Sequence, residues 1–129
     1  MPDTPPKTWG AGGRRFPPFV YRRGLEPDPR FSLANERTFL AWIRTSVALF
    51  AAGVALEALA LPIRPPLRAT AAALFVILGL LAAAQSYLGW ARAERALRLG
   101  ASLPGPTVAS VLSAGVLVAT LLVVLGMVL

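Results

Sequence analysis

An all-α membrane protein with three transmembrane helices, its N-terminus cytoplasmic and its C-terminus outside, is the fold class this sequence predicts. Three observations carry it. Residues 46–61, 69–91 and 107–129 are long apolar runs, each near the roughly 20 residues that cross a bilayer core. Pro62-Ile-Arg-Pro-Pro66 and Pro104-Gly-Pro106 separate them, at positions where a helix must stop. The basic residues are distributed unequally among the connections. Lys7, Arg14, Arg15, Arg22, Arg23, Arg30, Arg37 and Arg44 lie before or at the start of the first run, and Arg92, Arg95 and Arg98 follow the second. The first loop region holds only Arg64 and Arg68, and nothing basic follows the third run, so the positive-inside bias sets the orientation.

Composition narrows the function classes. The 129 residues are 56% hydrophobic, with a formal net charge of +7 and neither Cys nor His. Mean hydropathy is +0.63. Disulfides, thiol chemistry and the usual zinc or haem ligands are excluded, so no metal or cofactor is expected. Without His, Cys or paired carboxylates in the membrane domain, acid–base and nucleophilic chemistry lack their usual players, and no enzyme is expected. The basic residues flank apolar spans, where anionic lipid and topology account for them better than nucleic acid does. Residues 1–30 contain no apolar segment resembling a cleavable signal, and Pro17 and Pro18 follow Arg14-Arg15-Phe16 where a twin-arginine signal needs a hydrophobic run.

Residues 1–27 form a basic Pro/Gly-rich tail, with Pro2, Pro5, Pro6, Pro17, Pro18 and Pro27 interspersed with glycines, and are expected to be an extended or disordered cytoplasmic arm. Phe16, Phe19, Val20 and Tyr21 give it an apolar patch for the headgroup region. The domain proper spans 28–129, with helices expected over about 29–61, 67–99 and 107–129. Asp28-Pro29 reads as an N-cap followed by proline at the first helical position, where its missing N–H costs nothing. The second helix should end at Gly100 as C-cap, with Tyr87 and Trp90 at the membrane interface.

The first helix carries the most information. Arg30, Arg37 and Arg44 recur every seven residues and so share one stripe, which continues as Ala48, Ala51, Ala55 and Ala58. An arginine facing hydrocarbon is costly, so this stripe should face protein or water. Glu36 has no basic residue three or four positions away on the helix, where Ser32, Leu33, Phe39 and Leu40 stand, so its expected partners are Arg92, Arg95 and Arg98. Glu94 has Arg98 four residues on, a local pair that leaves Arg92 and Arg95 freer. Glu57 should meet Arg64 or Arg68. Gly53 with its alanine neighbours, Gly79 with Ala83, and Gly115 with Ala119 provide for close helix contacts. Three helices bury one another poorly, which favours a homo-oligomer whose first helices face a common centre.

Asp28-Pro-Arg30 and Leu33-Ala-Asn-Glu-Arg-Thr-Phe-Leu-Ala-Trp-Ile-Arg-Thr45 resemble the signature of the YidH-like family, small bacterial inner-membrane proteins whose domain has no assigned function. Ala34-Asn-Glu-Arg-Thr-Phe-Leu40 with Trp42 is similar to the first membrane helix of the vacuolar transporter chaperone complex, which makes polyphosphate and threads it through a membrane channel. The resemblance covers roughly residues 26–129. It implies an inner-membrane, multi-pass protein and a pore lined by basic residues that hold phosphates. By matching position, the implied phosphate-holding residues are Arg30 and Arg37, with Glu36 as ion-pair partner of the second-loop arginines. Arg92, Arg95 and Arg98 match that loop approximately, and Arg44 belongs to the bacterial signature. The chain has no polymerase or phosphate-sensing domain, no phosphate-cradling Gly-rich loop and no carboxylate cluster, so synthesis is not implied. The expectation is an oligomeric channel or a basic vestibule for a phosphate or polyphosphate-like anion. Its alternative is a non-catalytic membrane scaffold or anchor that binds anionic lipid or a partner protein.

Overall fold

The computed structural model describes residues 15–21, 24, 25, 27–103, 105 and 107–129. Four helices follow in order: α1 (Pro18–Tyr21), α2 (Pro29–Ala58), α3 (Pro65–Leu99) and α4 (Thr107–Val128). The last three are each long and apolar enough to cross a membrane. Sequence chemistry sets their ends. The Asp28 carboxylate accepts from the Arg30 N–H at 2.9 Å, and Pro29 opens α2. Gly100, left-handed at φ 64°, closes α3, and the Ala101 N–H reaches back to the Ala96 carbonyl at 3.0 Å. The first connection differs from the expected one. α2 stops at Ala58 rather than at 61, and α3 begins at Pro65 rather than at 67. Proline's fixed φ suits the first turn of a helix, so Pro65 and Pro66 start α3 instead of preceding it.

α3 is the central element. α2 packs on one side of it and α4 on another, and the backbones of α2 and α4 do not approach each other. Asn35, Leu49 and Leu56 are buried at multiples of seven residues along α2, with partly buried Trp42 between the first two and Ser46 and Gly53 in the same phase. Close approach rests on residues without side chains. A Cβ on Gly53 would stand 2.9 Å from the Ala72 carbonyl oxygen, and one on Gly79 would stand 3.0 Å from the Phe50 ring. At that crossing the Ser46 hydroxyl donates to the Gly79 carbonyl at 2.8 Å, a bond worth about 0.6 kcal/mol within a membrane. α4 meets α3 at Gly115, beside Leu78, and at the fully buried Ala119. Glu57 pairs with Arg68 at 3.5 Å as expected, whereas Arg64 donates to the Leu129 carbonyl at 2.6 Å and holds the end of α4.

Candidate functional site

Five of the six arginines expected to form a site remain exposed, and they do not form one surface. Arg30, Arg37 and Arg44 are exposed along α2. Arg37 lies about 200° around the helix from Asn35. Since Asn35, Leu49 and Leu56 face α3, the arginine stripe points almost directly away from it. Ala48, Ala51 and Ala58 continue the stripe and are exposed as well. Arg92 and Arg95 are exposed at the end of α3, off the stripe.

Arg98 is the exception. It is buried, at 3.7 Å from Glu94, and its guanidinium stands 4.7 Å from the centre of the Tyr21 ring. The contact expected between Glu36 and the second-loop arginines is not made within the chain. Glu36 lies about 100° around α2 from Asn35, on a face that does not meet α3, and it is exposed without an ion pair among the described residues.

Glu94 occupies the place expected of Glu36. It is 4% exposed, accepts from the Ser32 hydroxyl at 3.0 Å and the Asn35 amide at 3.4 Å, both on α2, and forms an ion pair with the Arg98 guanidinium of α3 at 3.7 Å. The Asn35 amide also donates to the Trp90 carbonyl at 3.0 Å. Burying a carboxylate is costly unless it is paired and hydrogen-bonded, and Glu94 is both. A sequence signal for this existed in the phase of α2: Asn35 lies on the same seven-residue stripe as Leu49 and Leu56, so a polar side chain falls where the helix is buried.

The segment before α2 closes over the same place. Val20 is fully buried, and the Tyr21 and Trp90 rings are 6.4 Å apart. The Leu25 N–H donates to the Arg98 carbonyl at 3.2 Å. Gly24, at φ 76°, lies so close to that carbonyl that a Cβ there would collide with it. The arm over residues 1–27 was expected to be extended or disordered; its part from Pro18 to Tyr21 forms a helical turn against α3, and residues 1–14, 22, 23 and 26 lie outside the described residues.

The model of a domain of unknown function, DUF202, matches residues 30–96. The chain is 44% identical over 113 residues to the inner membrane protein YidH of Escherichia coli, covering 85% of this chain and 96% of that protein. The YidH of Shigella flexneri matches to the same degree. An uncharacterized protein of Mycobacterium tuberculosis is 46% identical over 81 residues, 62% of this chain and 66% of its own. No solved structure matches. The expected inner-membrane location therefore stands on kinship as well as on three membrane-length helices. With the DUF202 model matching residues 30–96 and a relative 44% identical across 85% of the chain, the chain belongs to the YidH-like family of multi-pass inner-membrane proteins that carry the DUF202 domain of unknown function.

Proposed function

We propose that the protein is a homo-oligomer that presents a basic, anion-binding vestibule at the cytoplasmic side of the inner membrane, with Arg30, Arg37 and Arg44 of α2 as its lining. One observation carries this reading: the arginine stripe lies on the α2 face turned away from α3, and where it borders α4, in an open groove lined by Arg37, Ala109 and Ser113, the arginine stays exposed. Arg44 stands where α2 becomes strongly apolar, and an arginine facing hydrocarbon there is costly. α3 does not meet the stripe and α4 only borders it at Arg37, which stays exposed, so copies of α2 around a common centre are the arrangement that covers it. The exposed alanines at 48, 51 and 58 then permit close approach beyond the arginines.

Such a ring repels itself unless anions or carboxylates occupy it, and the repulsion grows as water is excluded. Guanidinium groups bind phosphate oxygens in bidentate fashion. Exposed Glu36, one step around α2, is placed to meet a cation of a neighbouring copy. The similarity of residues 34–40 to the first membrane helix of the vacuolar transporter chaperone complex supports the same ligand class. The reading involves no catalysis.

The test is a thermal-shift titration of the purified oligomer with short polyphosphate at low salt, and with a neutral polymer as control. The wild type should be stabilised, less so as salt screens the charges, and Arg37→Ala should lose most of that gain because Arg37 lies mid-stripe. A wild type that gains nothing, or alanine variants at 30, 37 and 44 that gain as much as wild type, removes the vestibule. A scaffold that contacts anionic lipid through Arg92 and Arg95 is then what remains.

A further inference from the structure

Between the start of α2 and the end of α3 lies a cleft of about 450 Å³, within the size range of small-molecule sites. It lies on the α3-facing side of α2, opposite the arginine stripe. Phe39, Trp42 and Trp90 give it aromatic walls, and Gln85, Gly89 and Arg92 line it from α3. Gln85 and Arg92 are seven residues apart and share one stripe of α3. The Gln85 amide folds along the helix into the space that glycine leaves open, 2.9 Å from where a Cβ on Gly89 would stand. That brings the amide to within one helical turn of the Arg92 level.

Neither side chain has a hydrogen-bond or ion-pair partner among the described residues. An amide without a partner inside a span is expensive, and here it lines a cavity with aromatic walls that Arg92 also lines, toward the end of α3. Aromatic residues in this position belong to the membrane–water boundary. The occupant that satisfies all of these has a phosphate at one end, hydrogen-bond acceptors about one helical turn deeper, and an apolar body below.

We infer that the cleft holds one glycerophospholipid, with its phosphate on Arg92, its ester oxygens on the Gln85 amide and a chain along Phe39 and Trp42. This site is independent of the vestibule, since the two occupy opposite faces of α2. A phosphate could also arrive free in solution, and the experiment separates the two sources. Protein stripped of lipid by extended detergent washing is melted with phosphatidylglycerol, with its deacylated headgroup, with inorganic phosphate, and with diacylglycerol, which has chains but no phosphate.

Phosphatidylglycerol alone should raise the melting temperature. Gln85→Leu should weaken its apparent affinity about two- to tenfold, the loss expected for a neutral hydrogen bond, and Arg92→Gln at least about tenfold, the loss expected for one to a charged group. Gly89→Ala, which displaces the Gln85 amide while leaving Arg92 in place, should weaken it as well and serves if Gln85→Leu folds poorly. Equal stabilisation by headgroup or inorganic phosphate would assign the cleft to a free anion and overturn the inference. So would equal stabilisation by diacylglycerol, or a phosphatidylglycerol response that all three variants retain, which would mark non-specific lipid around the spans. Gln85→Leu should keep the polyphosphate response that depends on Arg37, so the two readings fail separately.

Discussion

Glu94 and Glu36 are both charged acids at the arginine-rich end of the spans, and their surroundings give them opposite roles. Glu94 is buried among the Ser32 hydroxyl, the Asn35 amide and the Arg98 guanidinium, so its charge holds α2 to α3. Glu94→Gln keeps the shape but replaces charge-assisted bonds with neutral ones. It should cost about 1.5–3 kcal/mol of stability, read as a fall in melting temperature in detergent. Glu94→Gln and Arg98→Gln should be non-additive in a double-mutant cycle, because they remove the same pair. Glu36→Gln should leave the melting of the single chain within about 0.5 kcal/mol, as for other exposed substitutions, and lower only the stability of the oligomer. If Glu36→Gln destabilised the single chain as much as Glu94→Gln does, the assignment of roles would be reversed.

At the scale of elements, helix approach is governed by what stands opposite each glycine. The space a Cβ would take at Gly53 is bounded by the Ala72 backbone carbonyl at 2.9 Å, which cannot move without moving α3. At Gly115 the nearest atoms are the tip of the Leu78 side chain, which can change rotamer. Gly53→Ala should therefore cost about 1–3 kcal/mol, in the range of overpacked cores, and Gly115→Ala clearly less. Melting curves of the two variants in one detergent check the order. A larger loss at Gly115 would place the tighter contact between α3 and α4 instead.

At the scale of the whole molecule, the arrangement is a central α3 with α2 and α4 on separate flanks, which leaves long faces of both outer helices uncovered. A reporter active only in the periplasm should be active when fused after Leu129 and silent at Met1, as the arginine distribution requires. Activity at Met1, or a cytoplasmic signal from the Leu129 fusion, would invert the placement of the vestibule or break the three-span reading. The described helices carry the number of spans, and the expected orientation rests on the charges.

Much of the fold was legible because it depends on local chemistry. Three apolar runs of bilayer length, an Asp28-Pro29 start and a Gly100 stop specify helices and their ends through bonds within a few residues. The Glu57–Arg68 pair was legible for the same reason, since the two flank one short connection. Pro65 and Pro66 open α3 although their composition suits a loop, because proline both ends one helix and begins the next and composition does not distinguish these uses. What the tertiary structure alone decided is which faces meet. The Glu94–Arg98 pair was legible from its spacing of four, but the burial of Glu94 beneath Ser32 and Asn35 arises only when α2 is rotated to bury Asn35, Ser46 and Gly53 against α3, and that rotation turns Glu36 outward. The same choice of face leaves Arg30, Arg37 and Arg44 uncovered and opens the Gln85–Arg92 cleft. Helix formation is satisfied by neighbours in sequence, but the facing of one helix toward another is set by packing between residues about 60 positions apart, such as Asn35 and Glu94, and no local pattern contains it.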